Sequence, residues 1–347
     1  MNIHQTYMRR CIQIATNAFG SARPNPMVGC VIVHNNIIIG EGYTSAYGGN
    51  HAEVNAISSV KDISLLKEAT LYVTLEPCSH FGKTPPCSDL IIKHNIPNVV
   101  IGTIDTHSKV SGKGIEKLKN AGCKVTLGVL GKECQEHHKR FFTFHNKKRP
   151  YIILKWAQTS DGFIAPEKTE KRAPVWITNS YSRQLVHKWR AEEQAILVGN
   201  RTVIKDNPKL TIRDWSGTNP VRILIDLSNK IPENSTILDK TVKTIIITAH
   251  NHKKENSDNL YYETVNPENT IVNEVCNILY QHEIQSVIIE GGSYTIQSFI
   301  DSNLWNEARI FTGTNTFSKG TKAPIPGGKL TSEEKIIGDT LSIYQND

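Results

Sequence analysis

A histidine, a glutamate and two cysteines have the types and spacing from which a metal site can be built. His51 and Glu53 lie in NHAEVNAI, and Cys78 and Cys87 lie in TLEPCSHFGKTPPC with eight residues between the two thiols. Taken alone, the cysteines are compatible with a disulfide, with two separate buried thiols, or with half of a metal site. The nearby imidazole favours the metal site, because zinc in proteins prefers thiolate and imidazole ligands.

The order of these residues indicates a catalytic rather than a structural zinc. H-x-E followed by P-C and a second cysteine is the order of zinc-dependent nucleobase deaminases, although the gap here is wider than their usual C-x-x-C. We predict that His51, Cys78 and Cys87 bind zinc and leave the fourth position open for water. Glu53 is the predicted catalytic residue: it takes the proton of that water and passes it to the ring nitrogen and then to the departing ammonia.

Length and composition are those of a globular chain with two domains. The 347 residues correspond to two domains at about 150 residues each. Seven cysteines, an odd number without a secretion signal, argue against a disulfide framework. No apolar run approaches the roughly 18 residues that span a bilayer, so we expect a cytoplasmic location and no membrane partner. The net charge of +7 is dispersed, which suits anionic small molecules such as phosphates and gives no argument for nucleic acid.

Strand and helix patterns alternate in two successive halves, which predicts an α/β architecture for each. In the first half, two apolar segments flank HNN as a hairpin, one helix begins near His51, and Cys87 opens another. A basic stretch, HHKRFFTFHNKKRP, precedes the second alternation. We place the boundary there, with a first domain over 1–146 and a second over 147–347.

The second half has no G-x-G-x-x-G at a strand–helix junction, so the usual dinucleotide-binding motif is not supported. SVIIEGGSYTIQSFI offers another phosphate site, because a buried strand ends at Glu290, two glycines turn the chain, and a helix begins near Ser293. Backbone N–H groups at such a helix start can bind a phosphate. Taken alone, the turn is equally compatible with binding nothing.

Longer segments resemble a known family. RPNPMVGCVIV, HAEV and TLEPCSHFGKTPPC closely resemble the bifunctional riboflavin-biosynthesis deaminase/reductases, and WRAEEQAILVGNRTVIKDNPKLTIR and VIIEGGS continue the match. The resemblance covers nearly the whole chain and is weakest after about residue 310. It implies a cytidine-deaminase-like α/β/α domain followed by a dihydrofolate-reductase-like α/β domain.

The resemblance also implies two reactions. The first domain would use zinc to hydrolyse the 2-amino group of 2,5-diamino-6-ribosylamino-4(3H)-pyrimidinone 5′-phosphate. The second would reduce the ribosyl group to ribityl with NADPH. The implied partner is thus a phosphorylated pyrimidine, with no nucleic acid or membrane partner, and the family suggests a homo-oligomer.

Site residues follow from the positions that match the family. Arg190 and Arg213 suit phosphate, because a guanidinium binds phosphate oxygens in bidentate fashion. Lys155 lies at the end of the first strand of this domain, and neither it nor any other side chain is assigned as the proton donor of the reduction. The implied residues are Asn25, Lys83 and Asp105 for the deaminase substrate; Ala157, Trp176, Thr202, Asp206, Ser228, Gly292 and Ser293 for NADPH; and Arg190, Leu210, Arg213 and Glu290 for the reductase substrate.

The chain also departs from the family pattern. Thr44 stands where the family usually has His, DTHS over 105–108 (with His107) replaces D-P-N-P, and Pro174 replaces a common Ser. These departures motivate one alternative, a degenerate homologue without activity. The shared H-x-E motif motivates another, a zinc deaminase of a different nucleobase or of tRNA.

Overall fold

A computed structural model of the chain describes residues 2–81, 85–106, 112–168, 175–249, 256–266 and 268–346. The chain separates into two compact units, Met1–Lys148 and Arg149–Asp347. We call these the N-terminal unit and the C-terminal unit. They divide two residues after the predicted boundary.

The described residues of the N-terminal unit form one sheet in the order β2-β1-β3-β4-β5. β1 is antiparallel to β2 and β3, whereas β3, β4 and β5 are parallel. Asn35 and Asn36 connect the predicted hairpin with φ of 47° and 61°, a left-handed conformation that Asn tolerates in two-residue turns. The strands are β1 (Gly29–His34), β2 (Ile37–Tyr43), β3 (Thr70–Leu75), β4 (Asn98–Thr103) and β5 (Lys124–Leu127).

Helices cover both faces of this sheet. Because side chains alternate along a strand, Cys30 and Ile32 face one apolar cluster and Val31 and Val33 face the other. The first cluster includes side chains from α2, α3 and α4, and the second includes side chains from α1 and α5. This is the three-layer α/β/α arrangement that was predicted. The helices are α1 (Ile3–Ala15), α2 (Ala52–Ser58), α3 (Cys87–Lys93), α4 (Lys113–Asn120), α5 (Gly131–His137) and α6 (Lys139–Lys147).

In the C-terminal unit, the described strands form a large sheet in the order β11-β10-β9-β8-β12-β6-β13-β16-β15 and a small pair, β14-β7. The strands from β11 to β13 in this order are parallel, and β16 and β15 add an antiparallel edge. The strands are β6 (Tyr151–Gln158), β7 (Phe163–Pro166), β8 (Ala195–Gly199), β9 (Val221–Ile225), β10 (Thr244–Thr248), β11 (Leu260–Thr264), β12 (Ser286–Gly291), β13 (Glu307–Thr312), β14 (Gly320–Lys322), β15 (Lys329–Ile336) and β16 (Asp339–Gln345).

The central strands of this sheet are mostly apolar, as expected for parallel strands buried on both faces, with Lys155 and Glu290 near the carboxyl ends of β6 and β12. Packing against α9 and α10 buries Ile152, Leu197 and Ile289 fully. Each such side chain contributes about 1.5–3 kcal/mol to the free energy of unfolding. The helices are α7 (Ser180–Glu192), α8 (Asn200–Asp206), α9 (Ile271–Gln281) and α10 (Ser293–Asp301).

The predicted α/β class is confirmed in both units, and the helix predicted near Ser293 begins at that residue. Most of the basic stretch before the boundary is helical, and Lys139–Lys147 form α6. None of the helices in the described ranges has the length and apolar character that crossing a bilayer requires.

Candidate functional site

Three elements bring the predicted zinc ligands together. His51 is the N-cap residue of α2, and Glu53 lies in the first turn of that helix. Cys87 is the first residue of α3, and Cys78 follows the carboxyl end of β3. The buried strand β3 therefore meets the starts of two helices at one edge of the sheet, where helix N-termini favour a thiolate over a thiol.

A glycine in β2 sets how closely α2 approaches the sheet. A Cβ atom at Gly42 would lie 2.3 Å from the backbone nitrogen of Ala56 and 2.5 Å from the carbonyl oxygen of Ala52. These distances are too short for any side chain at this position. Gly42 thus allows the backbone of β2 to touch the backbone of α2. This contact fixes the helix that carries His51 and Glu53.

The distances within the cluster fit zinc. The Nδ1 atom of His51 lies 3.7 Å from Sγ of Cys78 and 3.3 Å from Sγ of Cys87. The three ligand atoms all lie within 4.8 Å of one another. Tetrahedral zinc with ordinary Zn–S and Zn–N bond lengths places such atoms about 3.5–3.8 Å apart. One imidazole and two thiolates are also the donor set that zinc prefers over harder cations.

The electrostatics of the cluster favour a thiolate beside a carboxyl that can hold a proton. The Cys87 thiol, the His51 imidazole and the Cys87 backbone N–H, 3.3 Å away, donate to Sγ of Cys78 and lower the pKa of that thiol. Burial, together with the Cys78 sulfur, raises the pKa of Glu53 to about 7. Glu53 is only 4% exposed, so this carboxyl lies out of bulk water beside the ligands.

The described residues of the predicted pyrimidine pocket lie on two loops. Asn25 is half-buried in the loop before β1, and Asp105 is 7% exposed just after β4. The buried Thr44 hydroxyl accepts from the N–H of Val28 at 3.0 Å and donates to the carbonyl of Pro26 at 3.0 Å. Thr44 therefore holds the segment that follows Asn25. Lys83, His107 and Pro174 lie outside the described residues.

A large cleft lies at the carboxyl ends of β6, β8, β9 and β12, where open α/β sheets commonly bind ligands. Its volume is about 1290 Å³. Every residue predicted for NADPH and for the reductase substrate lines this one cleft. These residues are Ala157, Trp176, Arg190, Thr202, Asp206, Leu210, Arg213, Ser228, Glu290, Gly292 and Ser293.

Two cations and one carboxylate lie close together in the cleft. The guanidinium of Arg190 donates two hydrogen bonds to Glu290, at 3.0 and 2.7 Å, and a third to the carbonyl of Thr211 at 3.2 Å. The Lys155 ammonium lies 3.9 Å from the same carboxylate. Burial opposes ionisation of Glu290, but Arg190 and Lys155 outweigh it and lower the pKa of the carboxyl to about 2. Glu290 is therefore a fixed anion in the cleft.

The glycine turn at the end of β12 has a backbone conformation that favours glycine, and it lies close to the side chain of Thr202. Gly291 has a φ of 157°, and a Cβ atom there would lie 3.2 Å from the Thr202 hydroxyl oxygen. α10 begins at Ser293, and no described side chain caps its start. Its first N–H groups have no partner within the helix, so they can bind an anion in the cleft.

Sequence reasoning missed His187, which also lines the cleft. Its Nδ1 atom accepts from the N–H of Arg213 at 3.2 Å, and its Nε2 atom lies 3.5 Å from Asp214. Burial, with the charges of Arg190 and Arg213, lowers the pKa of His187 to about 4, so the ring is neutral at pH 7. The available signal was its position three residues before Arg190, on the same face of a helix.

Family comparisons assign a domain to each unit. Residues 1–103 match the cytidine and deoxycytidylate deaminase zinc-binding region, and residues 150–335 match the RibD C-terminal domain. The riboflavin biosynthesis protein RibD of Aquifex aeolicus is 39% identical over 321 residues, which cover 92% of this chain and 89% of that protein. RibD of Actinobacillus pleuropneumoniae is 38% identical, over 97% of this chain and 94% of that protein.

A solved structure matches the whole chain. The diaminohydroxyphosphoribosylaminopyrimidine deaminase/5-amino-6-(5-phosphoribosylamino)uracil reductase of Thermotoga maritima superposes with a TM-score of 0.91 at 36% identity, covering 99% of both chains. RibD of Acinetobacter baumannii superposes with a TM-score of 0.87 at 27% identity, with the same coverage. The predicted pair of domain folds is confirmed by these matches.

Proposed function

The chain belongs to the RibD family of bifunctional riboflavin-biosynthesis deaminase/reductases, and from this premise we propose the substrate of each unit and the residues that act on it. The N-terminal unit deaminates 2,5-diamino-6-ribosylamino-4(3H)-pyrimidinone 5′-phosphate at its 2-amino group. The C-terminal unit then reduces the ribosyl group of the deaminated product to ribityl with NADPH. The activities named for the Thermotoga maritima protein support this order.

In the deaminase site, each described side chain has a distinct task. His51, Cys78 and Cys87 hold zinc, which when bound acts as a Lewis acid and lowers the pKa of water toward ~7. Glu53 would take one proton from water and deliver it to the ring nitrogen, and would then carry the second proton, from the hydroxyl bound to carbon, to the amino group that leaves as ammonia. Its burial and raised pKa support a carboxyl that can be protonated near neutral pH. Asn25 and Asp105, with Lys83 outside the described residues, orient the pyrimidine.

In the reductase cleft, alignment is the main task of the protein, because hydride transfer is chemistry of the cofactor. At about 1290 Å³ the cleft exceeds the roughly 300–1,000 Å³ typical for one small ligand, so it has room for NADPH and a second molecule. The glycine turn before α10 binds cofactor phosphate. Trp176, which also lines the cleft, contacts the cofactor. Arg190, Leu210, Arg213 and Glu290 contact the substrate.

One observation carries the proposal. The residues predicted for the deamination lie together at one site, and the residues predicted for the reduction lie together at another. The zinc ligands lie within 4.8 Å of one another beside a buried Glu53. The residues predicted to bind NADPH and the reductase substrate line a single cleft. Retention of both complete sets favours an active enzyme over a degenerate homologue. Relatives named for riboflavin biosynthesis over most of the chain do not favour a tRNA deaminase.

The test uses the two reactions of one protein as each other's control. Zinc-loaded protein should release ammonia from the diaminopyrimidine and then oxidise NADPH. Glu53→Gln should lower ammonia release by about 10²–10⁴-fold, because it removes general acid–base catalysis, while zinc content and NADPH oxidation with the deaminated intermediate stay at wild-type levels. Ammonia release by Glu53→Gln at the wild-type rate would contradict the assignment.

Assembly into a homo-oligomer stays a prediction from the family. Sedimentation velocity of the purified chain checks it directly. A single species with the mass of one chain, 38.8 kDa, would show that the prediction is wrong.

A further inference from the structure

A buried carboxylate next to the zinc ligands has no role in the chemistry proposed above. Glu76 lies two residues before Cys78 and is 4% exposed. Among the described residues its Oε2 atom accepts from the N–H of Asp105 at 3.3 Å and of Gly112 at 3.0 Å. Its Oε1 atom accepts from the N–H of Gly114 at 2.9 Å and of Ile115 at 3.3 Å.

These contacts join two separate segments through one side chain. Gly114 and Ile115 are in the first turn of α4, where backbone N–H groups have no partner within the helix. The N-cap residue Gly112 has no side chain to offer, so the carboxylate of Glu76 takes the place of a capping side chain. A negative charge at this end of a helix is favourable for the helix dipole. The same carboxylate holds the backbone of Asp105.

The backbone of α4 packs closely beside Glu76. A Cβ atom at Gly114 would lie 2.1 Å from the carbonyl oxygen of Pro77 and 3.2 Å from Oε1 of Glu76. α4 therefore packs directly on the segment that links Glu76 to the ligand Cys78. The segment that carries Asp105 and the segment that carries a zinc ligand are thus fixed to one another through Glu76.

We propose that Glu76 is a positioning residue of the deaminase site, which holds Asp105 at a fixed place relative to the zinc ligands so that Asp105 can orient the pyrimidine. The proposal rests on the proposed deaminase function and on the substrate contact assigned to Asp105. Glu76 touches neither substrate nor metal in this scheme. It acts through the backbone N–H of Asp105 and through the first turn of α4.

Glu76→Gln is the primary variant, because it keeps the size of the side chain. Glutamine has one acceptor oxygen, so its NH₂ group must face one of the two N–H pairs that the carboxylate accepts. We expect the KM for the diaminopyrimidine to rise about tenfold, with kcat within about threefold of wild type, because the pyrimidine is less well oriented while zinc and Glu53 are unchanged. Zinc content and NADPH oxidation with the deaminated intermediate should equal those of wild type.

A double-mutant cycle distinguishes positioning from general destabilisation. If Glu76 acts through Asp105, adding Glu76→Gln to Asp105→Ala should raise the KM no further. The matched control is Glu116→Gln, which removes an exposed charge from the first turn of the same helix and should leave the KM at its wild-type value. If Glu76→Gln does not fold, Glu76→Asp, which keeps the charge on a shorter side chain, should show an intermediate KM.

Three outcomes would overturn the proposal. They are a wild-type KM for both position-76 variants, a loss of zinc that parallels the loss of activity, and additive effects of the changes at positions 76 and 105. If the wild-type protein itself releases no ammonia, the proposed function fails first and the positioning role fails with it. If wild type is active and the variants match it, only the positioning role fails.

Discussion

Two buried glutamates illustrate how environment assigns different tasks to the same side chain. Burial, together with the Cys78 sulfur, raises the pKa of the Glu53 carboxyl to about 7, and the opposing effects of His51 and Cys87 are smaller. The Glu290 side chain is also largely buried, at 8% exposed, but Arg190 and Lys155 lower the pKa of its carboxyl to about 2. A carboxyl of the first kind can exchange a proton near neutral pH, whereas one of the second kind stays charged. Glu53 thus suits proton transfer, and Glu290 suits electrostatic orientation.

His187 leads to a prediction about pH and stability at the residue scale. The folded state lowers the pKa of His187 from the ordinary value of 6.5 to about 4, so between these values the unfolded state binds more protons. The contribution of His187 to the free energy of unfolding is therefore complete above pH 6.5 and is lost as the pH falls toward 4. Arg190 and Arg213 favour the neutral ring, and Asp214 and Glu290 oppose them.

His187→Asn tests this sign. The Oδ1 atom of asparagine can still accept from the N–H of Arg213, but asparagine does not titrate. Between about pH 7 and about pH 5, the Tm of the variant should therefore fall less than the Tm of wild type. Equal decreases, measured by scanning calorimetry in matched buffers, would contradict the prediction.

At the scale of elements, the metal centre depends on close contacts between backbones. β2 touches α2 at Gly42, and α4 touches the Pro77 segment at Gly114. Both contacts bring a helix start to the edge of the sheet where Cys78 lies. The positions of His51 and Glu53 are therefore set by packing that lies outside the ligand set.

Gly42→Ala should disturb the metal centre without touching a ligand. The added methyl group would push α2 away from β2, and overpacking of this kind costs about 1–3 kcal/mol. We expect a lower Tm and less zinc per chain by elemental analysis. Gly131→Ala is the control, since a Cβ atom there meets only the carbonyl oxygen of Gly102 at 3.4 Å. Wild-type zinc content in Gly42→Ala would show that α2 can shift without loss of the site.

Elements with local signals were predictable from the sequence, and those that depend on distant partners were not. The hairpin turn at Asn35 and the helix starts at Cys87 and Ser293 are specified by residues at the turn or cap itself. β15 is different, because it is exposed and highly charged, and its register is set only by pairing with β16. The last strand predicted from the sequence was the one that ends at Glu290.

The candidate sites follow the same rule. Zinc restricts its ligands to a few residue types, so the cluster of His51, Cys78 and Cys87 could be predicted from their order alone. Glu76 and His187 were missed because each is defined by a backbone N–H that the fold brings from another segment. No pattern in the sequence records such a partner.

On the scale of the whole molecule, each unit has its own apolar core. The clusters of the N-terminal unit contain residues up to 142, and those of the C-terminal unit begin at Tyr151. Each sheet is likewise formed by strands of one unit. The two activities therefore have separate structural supports.

The C-terminal unit should fold and act without the other. Residues 149–347, expressed alone, should oxidise NADPH with the deaminated intermediate at a rate within about threefold of the intact chain, because the apolar clusters described for this unit are formed by its own residues. The intact chain carrying Glu53→Gln is the matched control, since it also lacks deamination. An insoluble or inactive fragment would show that the unit needs the rest of the chain.

The distribution of indole rings has a practical consequence. All five tryptophans, Trp156, Trp176, Trp189, Trp215 and Trp305, lie in the C-terminal unit, and Trp176 is 54% exposed at the cleft. Intrinsic emission excited at the red edge of the absorption band therefore comes from the reductase half alone. Binding of NADPH should quench this tryptophan emission by energy transfer to the dihydronicotinamide. Unfolding of the deaminase half alone should leave the tryptophan emission unchanged, because that half contains no tryptophan.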